Sequence, residues 1–142
     1  MRFSVSLPYP DDATGPDEVQ GFVELARAVE AAGLDACAVT DHPFPAPEPG
    51  RAGHQALDPF VLLSYIAAET TRLRLHFNLI VLPYRNPFLV ARMISTLDVL
   101  SRGRVIASIG AGYMRKEFAA LGMPFAGRGD TLDEDVAAMR AA

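Results

Sequence analysis

Four short apolar runs that predict β-strands alternate with helical patterns along this chain, and this alternation constrains the fold more than any other feature. The predicted strands cover residues 3–7, 36–40, 75–81 and 105–109. Alternating strands and helices are typical of a parallel sheet, in which the carboxyl ends of all strands meet at one edge. Functional residues of such folds lie at that edge. The sequence therefore predicts an α/β fold of four βα units with its site where the strands end.

The starts of two helices are clear in the sequence. Asp58 precedes Pro59, and Asn86 precedes Pro87, so each pair supplies an N-cap and a proline at the first helical position. The predicted helices cover residues 17–33, 59–70, 87–101 and, more briefly, 113–121. The segments 11–16 and 42–57 are rich in proline and glycine and are predicted to be loops.

Chain length conflicts with the simplest closed form of this architecture. The chain has 142 residues, whereas an eight-unit (β/α)8 barrel of the TIM type needs roughly 250. A last helix, capped by Asp130 or Thr131, is predicted to continue to Ala142 without a stop signal. Three interpretations follow: the sheet stays open, two chains complete each other, or the chain is the first half of a longer polypeptide.

Composition excludes several classes of partner. A net charge of −4 gives no electrostatic reason to bind nucleic acid, and no apolar run approaches the roughly 20 residues that cross a bilayer. Met1 leads directly into a strand, which predicts no signal peptide. Cys37 is the single cysteine and is predicted to be a buried core residue. We therefore expect a cytoplasmic protein that acts on a small molecule.

Asp41 and His42 are the best candidates for catalysis, because they follow the second strand at the predicted rim. A histidine at this position can transfer a proton near neutral pH. The alternative is that Asp41 caps the next turn and His42 only packs.

The segment from Gly110 through Ala111 to Gly112 forms a glycine turn after the fourth strand. Such a turn lets backbone N–H groups approach a phosphate or a flat ring. The dinucleotide fingerprint is incomplete, because Arg115 stands where its third glycine would be. Glu117 is interpreted as a solvated helix residue.

The remaining polar residues give no metal-binding pattern. His76 and Asn78 share one face of the third strand, and His76 is predicted to be a hydrogen-bonded residue inside the fold. His54 is predicted to be exposed in the proline-rich loop. The three histidines lack the spacing of metal ligands, so we expect no metal site.

Several motifs together resemble those of the luciferase-like monooxygenase superfamily. They are VTDH (39–42), LDPF (57–60), TRLRL (71–75) running into Asn78, LPYRNP (82–87), TLDVLSRGR (96–104) and GAGYMRKEF (110–118). In detail the chain is most similar to the branch that uses the deazaflavin coenzyme F420. The resemblance covers residues 1–142 and identifies them as the N-terminal half of a luciferase-like (β/α)8 barrel.

The resemblance also implies roles for individual residues around a cofactor held in the barrel mouth. Asp41 and His42 match a pair beside the cofactor ring, and in some members the histidine at the position of His42 handles a proton during hydride transfer. Asn78 and Leu79 match the site of a non-prolyl cis peptide that backs the ring. Gly110, Ala111 and Gly112 match the turn that contacts the cofactor. Tyr113 stands where some F420-linked dehydrogenases carry a catalytic acid.

These implications define three functional expectations. The first is an oxidoreductase that transfers a hydride to or from coenzyme F420 on a small organic substrate. The alternative is an FMN-dependent monooxygenase, and the second alternative is a non-catalytic half-barrel that only associates with another chain. Because strands five and eight are absent, the outer edges of residues 3–7 and 105–109 and an apolar inward face would lack partners. We therefore expect a homo-oligomer or a complex with a complementary half-barrel.

Overall fold

The computed structural model describes residues 1–8, 16–44 and 56–142, and within these ranges it contains one parallel sheet of four strands. The strands are β1 (Ser4–Ser6), β2 (Ala36–Val39), β3 (Arg74–Val81) and β4 (Val105–Gly110). They pair in chain order, with Cys37 opposite both Val5 and Leu75, and Leu75 opposite Val105. The α/β class is therefore confirmed, and each predicted strand agrees with the structure to within one residue at either end.

Five helices and one 3₁₀ turn connect and flank the described strands. They are α1 (Pro16–Ala31), α2 (Pro59–Glu69), the 3₁₀ turn (Leu82–Tyr84), α3 (Pro87–Ser101), α4 (Arg115–Ala120) and α5 (Arg128–Ala141). Asp58 Oδ1 accepts hydrogen bonds from the first free amides of α2, at 3.0 and 2.9 Å. Asn86 caps α3 in the same way. Both predicted helix starts are confirmed. Within the described part of the chain, every helix is too short or too polar to cross a membrane.

The start of α5 differs from the prediction. The helix begins at Arg128, so Asp130 lies in its first turn and neither Asp130 nor Thr131 is the N-cap. Gly127 takes that position with φ of +75°, and its carbonyl oxygen accepts from the Thr131 amide. A glycine can enter this left-handed conformation without strain, so the chain turns into the helix earlier than the acidic signal indicates. His54 and most of the predicted loops, residues 9–15 and 45–55, lie outside the described residues.

One face of the sheet forms the hydrophobic core against the helices. Its fully buried residues include Ala26 of α1, Leu63 and Ile66 of α2, Leu75 and Phe77 of β3, and Val90 of α3. Cys37 lies in this core, and its burial raises the pKa of the thiol to about 11. Cys37 is therefore a packing residue, as predicted.

The opposite face of the sheet is more polar than the sequence analysis predicts. His76 bridges two strands there, with Nδ1 3.1 Å from Ser4 Oγ and Nε2 2.9 Å from Ser108 Oγ. Burial, together with the charge of Arg74, lowers the pKa of His76 and so favours the neutral ring. The expectation of an apolar inward face is wrong here, because the alternation of β1 and β4 turns serines to this side. The predicted hydrogen-bonded role of His76 is confirmed.

The turn between α2 and β3 is held by one glutamate of α1. Glu30 Oε1 accepts from the backbone amides of Thr71, Arg72 and Leu73 at 3.0, 2.6 and 2.7 Å. Burial raises the pKa of this carboxyl, but the three backbone donors and the charge of Arg72 outweigh it and hold the pKa below its ordinary value. Glu30 therefore fixes the start of β3 and with it the register of the central strands.

We expect Glu30→Gln to lower the free energy of unfolding at neutral pH by about 1.5 kcal/mol, since a neutral amide oxygen is a weaker acceptor. A carboxyl whose pKa is depressed by folding stabilises the fold above its unfolded pKa. That stabilisation is lost as the pH falls through the folded value. The difference from wild type should therefore shrink below about pH 4.3, the ordinary glutamate pKa. Urea denaturation at several pH values measures this difference in the free energy of unfolding.

Glu24→Gln is the matched control, because Glu24 is an exposed residue of the same helix. It should leave stability unchanged within about 0.5 kcal/mol. Equal losses for the two variants at every pH would contradict the role given to Glu30.

Candidate active site

A cavity of about 430 Å³ opens at the carboxyl ends of β2, β3 and β4. It is lined by Thr40, Asp41, His42, Asn78, Leu79, Val81, Gly110, Ala111, Gly112 and Tyr113. All seven site residues named from the sequence are among them, and the volume lies in the usual range for small-molecule sites. A second cavity of about 410 Å³ lies between α2 and α3, but its lining offers no pair of titratable groups. The first cavity is the candidate active site.

Asp41 is buried at the end of β2 and holds the rim together. Its Oδ2 accepts from the Val81 amide at 3.0 Å and from Arg85 Nη1 at 2.5 Å, and Oδ1 accepts from Arg85 Nη2 at 2.7 Å. Burial opposes the charge of Arg85, but these hydrogen bonds outweigh it and raise the pKa of the guanidinium. Both carboxylate oxygens are thus occupied by protein donors. This geometry supports a structural role, and a catalytic role for Asp41 stays a prediction.

His42 contacts a buried carboxylate that the sequence analysis placed in solvent. The Nδ1 atom of His42 lies 2.8 Å from Glu117 Oε1, and Glu117 is 1 % exposed. The interpretation of Glu117 as a solvated helix residue is wrong, because Glu117 and Phe118 of α4 both contact Tyr84 of the 3₁₀ turn and are buried there. His42 therefore lines the cavity with one ring nitrogen committed to a carboxylate.

Tyr84 completes this buried chain of polar groups. Its hydroxyl donates to Glu117 Oε2 at 2.6 Å. Burial raises the pKa of Tyr84 far above the ordinary value, and the hydrogen bond to Glu117 raises it further, so the phenol remains a neutral donor. The ring packs edge-on against Phe118, with centroids 4.7 Å apart. No sequence pattern indicated a functional role for Tyr84 or Glu117, although each follows a strand end closely enough to reach the rim.

The floor of the cavity is formed by an irregular segment of β3. The peptide between Asn78 and Leu79 is cis, as the resemblance implies. The regular register of β3 with β4 is interrupted between Phe77 and Ile80. Leu79 is 37 % exposed and covers Gly110, where a Cβ atom would lie only 2.9 Å from Leu79 Cδ1. The Leu79 side chain and the backbone of Gly110 thus form one wall of the cavity.

Close packing explains why residue 112 is a glycine, and the sequence alone did not indicate this. Its φ is +75°, and a Cβ atom there would lie 2.5 Å from Val81 Cγ1 and 3.1 Å from Phe118 Cε2. The glycine therefore lets α4 approach the end of β3 closely enough for Glu117 to reach His42. Its carbonyl oxygen also accepts from Arg128 Nε at 2.9 Å, which fixes the turn to α5.

The residues present fit a flat conjugated ring. Leu79 and the backbone of Gly110 offer an apolar surface, and His42 supplies a group that can exchange a proton. Tyr113 lines the cavity and is 66 % exposed. Across residues 1–8, 16–44 and 56–142, no three histidine, cysteine or acidic side chains converge to hold a metal ion.

Comparison with known sequences assigns the family. The sequence model of the luciferase-like monooxygenases matches residues 1–142. The chain belongs to the luciferase-like monooxygenase family. An uncharacterized protein of Mycobacterium tuberculosis, Rv0940c, is 33 % identical over 132 residues, which cover 84 % of this chain and 46 % of that protein. Pyrimidine monooxygenase RutA of Rhizobium rhizogenes is 38 % identical over 91 residues, covering 59 % of this chain and 24 % of RutA. The chain thus spans about half the length, or less, of these curated relatives.

Solved structures show the same fold. The oxygenating constituent of 3,6-diketocamphane monooxygenase from Pseudomonas putida, solved with FMN, has a TM-score of 0.83 at 21 % identity. The match covers 98 % of this chain and 38 % of that one. Coenzyme F420-dependent tetrahydromethanopterin reductase from Methanopyrus kandleri has a TM-score of 0.64 at 26 % identity, covering 87 % and 30 %. The four βα units therefore correspond to part of a luciferase-like TIM barrel.

We expect Gly112→Ala to lower the free energy of unfolding by about 1–3 kcal/mol, the usual cost of overpacking. The added methyl would meet Val81 and force α4 away from β3. Thermal or urea denaturation measures the loss. Gly21→Ala is the control, because nothing lies within 4 Å of its Cβ position in the middle of α1. That variant should be neutral or gain up to about 1 kcal/mol from better helix propensity. A Gly112→Ala variant as stable as wild type would refute the close packing of α4.

Proposed function

We propose that the chain is the part of a luciferase-like oxidoreductase that holds the reactive ring of a deazaflavin or flavin and supplies its proton partner. One observation carries this proposal: a single cavity joins His42, held by Glu117, to the wall of Leu79 and Gly110. When bound, the ring would supply the hydride chemistry, which amino-acid side chains lack. The remaining contributions come from residues of this chain.

These residues have separate tasks in the proposed site. Leu79 and the glycine turn support the flat ring and exclude water from one side. His42 accepts or returns a proton near the ring, which is the usual work of an imidazole at neutral pH. Asp41 and Arg85 keep the ends of β2 and β3 together, so that His42 and Leu79 face the same space.

Coenzyme F420 is our first candidate, with hydride transfer to or from a small organic substrate. The motif resemblance supports it, as does the similarity to an F420-dependent reductase at 26 % identity. FMN-dependent monooxygenation is the second candidate, and the 38 % identity to pyrimidine monooxygenase RutA over 91 residues supports its monooxygenase part. Tyr113 in place of a carboxylate argues against the sugar-phosphate dehydrogenase activity of some F420-linked relatives.

Full activity requires a second half in this proposal. The outer edges of β1 and β4 have no partner strand within the described residues, and the chain spans only 46 % of a curated relative. Unpaired parallel edges are expected to recruit further strands. We propose that a complementary half-barrel, or a second copy of this chain, closes the site and adds contacts to the rest of the cofactor.

Titration of the purified chain with F420 and, separately, with FMN tests the proposal. Cofactor fluorescence reports binding, and sedimentation equilibrium on the same samples reports the mass of the binding species. We expect saturable binding of one cofactor that weakens when Leu79 is replaced by Asp, because a charge then faces the ring. Absence of binding by any associated form of the chain would overturn the proposed function.

In the cofactor-bound, active form, we expect His42→Ala to lower kcat by about 10²–10⁴-fold, the usual contribution of a proton-transfer group. Cofactor affinity should change much less, because the ring rests mainly on Leu79 and the glycine turn. Steady-state kinetics and fluorescence titration separate the two quantities. His76→Ala, which removes a histidine below the cavity, is the control. Loss of affinity with unchanged kcat would assign His42 to binding alone.

A further inference from the structure

The inner face of the sheet, which is the side turned away from the helices, is polar and carries charge of one sign. Alternation along the strands places the serines of β1 and the alanines of β2 on this side. β3 contributes Arg74, His76 and Asn78, and β4 contributes Ile106 and Ser108. The contacts of His76 with serines of β1 and β4 confirm that these three strands turn the same side. At these strand positions the inner face has a cation and no acidic residue.

Arg74 has no partner for its charge among the described residues. It is half-buried at the start of β3, and its guanidinium makes no hydrogen bond or ion pair there. Asp35 and Glu30 line a small cavity together with Arg74, but both are engaged. Asp35 Oδ2 accepts from the Phe3 amide at 2.7 Å, and Glu30 holds the three amides of the turn before β3. The positive charge of Arg74 is therefore left for a group outside the described residues.

Closure of a barrel would enclose this charge. The inner side chains of an eight-stranded barrel fill its interior in layers, and alternate strands supply the members of one layer. The contact between Ser4 and His76 shows that β1 and β3 share a layer here. Arg74 precedes His76 by two residues, and Arg2 precedes Ser4 by two, so both arginines belong to the next layer toward the strand starts. A charge enclosed without a counter-ion is costly, so the closing half has to supply one.

A second copy of this chain cannot supply it. If two copies closed a barrel around a two-fold axis, β3 of one copy would lie across the interior from β3 of the other. The two Arg74 side chains would then lie in the same layer, with no carboxylate on either inner face. Like charges brought together in a poorly hydrated interior repel strongly. The inner face therefore selects against itself.

We propose that the inner face of this sheet docks a different half-barrel, one that carries a carboxylate at the level of Arg74, and that it rejects a second copy of this chain. The inference rests on the proposed function for one point, that another half closes the barrel. It deepens that function by stating the chemistry of the partner. The serines and His76 supply hydrogen-bonding groups around the ion pair, so the partner's inner face is expected to be polar as well.

The chain with one charge reversed serves as the probe half-barrel. Arg74→Glu carries a carboxylate at the required level on an otherwise identical face. A Ser6→Cys substitution in the other copy reports whether that face is covered, because Ser6 is exposed there and a docked partner would protect the thiol from maleimide. Cys37 does not interfere, since it is buried and the pKa of its thiol is raised to about 11. Sedimentation equilibrium gives the mass of each species.

We expect the Ser6→Cys chain and Arg74→Glu to form a 1:1 pair in which the new cysteine is protected. Self-association of each component through the same face is measured by placing Ser6→Cys in each chain in turn. The Kd of the mixed pair should be at least about tenfold lower than either of these values, because opposite charges replace like charges in one layer.

Arg92→Glu is the matched control, because it makes the same charge change on α3, on the opposite side of the sheet. This variant should not protect the cysteine. Arg74→Gln is a second test that reverses no charge. It removes the like-charge repulsion and keeps the face polar, so its self-association through the inner face should be tighter than that of wild type. Circular dichroism verifies the folding of every variant.

Three results would overturn the inference. The first is protection of the cysteine by a wild-type copy as strong as that given by Arg74→Glu. The second is equal protection by Arg92→Glu, or no protection in any mixture. The third is self-association of Arg74→Gln no tighter than that of wild type, a result that decides the question even where the charge-reversed chain does not fold.

These outcomes are separate from those of the proposed function. A pairing that follows the charge at residue 74, without binding of F420 or FMN by any mixture, would keep the inference and reject the proposed function. A wild-type dimer closed through the inner face that binds a cofactor would do the reverse.

Discussion

The rim of this sheet depends on one buried carboxylate. Asp41 follows β2, and its oxygens accept hydrogen bonds from the Val81 amide of β3 and from the guanidinium of Arg85. Arg85 also lies 5.5 Å from the Phe60 ring centroid and 3.9 Å from Asp58, at the start of α2. One ion pair thus ties two strands and a helix together. Removing one partner of such a pair leaves an uncompensated buried charge, which typically costs about 3–5 kcal/mol.

The second buried carboxylate at the rim has a different kind of environment. Asp41 faces a guanidinium whose pKa is raised, so the charge of that partner is fixed. Glu117 faces a neutral phenol and an imidazole, and the imidazole is the side chain that changes its charge near neutral pH. The first arrangement resists change and suits a structural link. The second has no partner of fixed charge, and the proposed function assigns proton transfer to this group of side chains.

The fold could be predicted from the sequence because its signals are local. Strand periodicity, the Asp58 and Asn86 caps and the prolines after them all lie within a few residues of the elements they define. The rim could also be predicted, because parallel strands bring their carboxyl ends to one edge whatever the details of packing. The cis peptide at Asn78–Leu79 followed from family resemblance alone, since no rule of composition or spacing identifies it.

The parts that could not be predicted depend on contacts between distant segments. The sequence around Glu117 is typical of a short surface helix, but in the structure Glu117 is buried in contact with His42 and Tyr84. The position of Asp41 after β2 suggests a catalytic carboxylate. In the structure, however, Arg85, which lies 44 residues later, donates hydrogen bonds to both of its oxygens. Gly112 suggests a ligand contact, but its Cβ position is closed by Val81. In each case the deciding neighbour is far away in sequence, where periodicity and capping rules give no information.

The side chains of the candidate site that this chain supplies lie close together. The groups that would handle a proton, His42, Glu117 and Tyr84, contact one another within a single set of elements, the rim of β2, the turn after β3 and α4. The wall formed by Leu79 and Gly110 is also complete. In the proposed function, contacts to the rest of the cofactor come from a complementary half-barrel or a second copy of this chain. The proposal therefore assigns the proton partner to this chain and expects much of the cofactor affinity to depend on closure of the barrel.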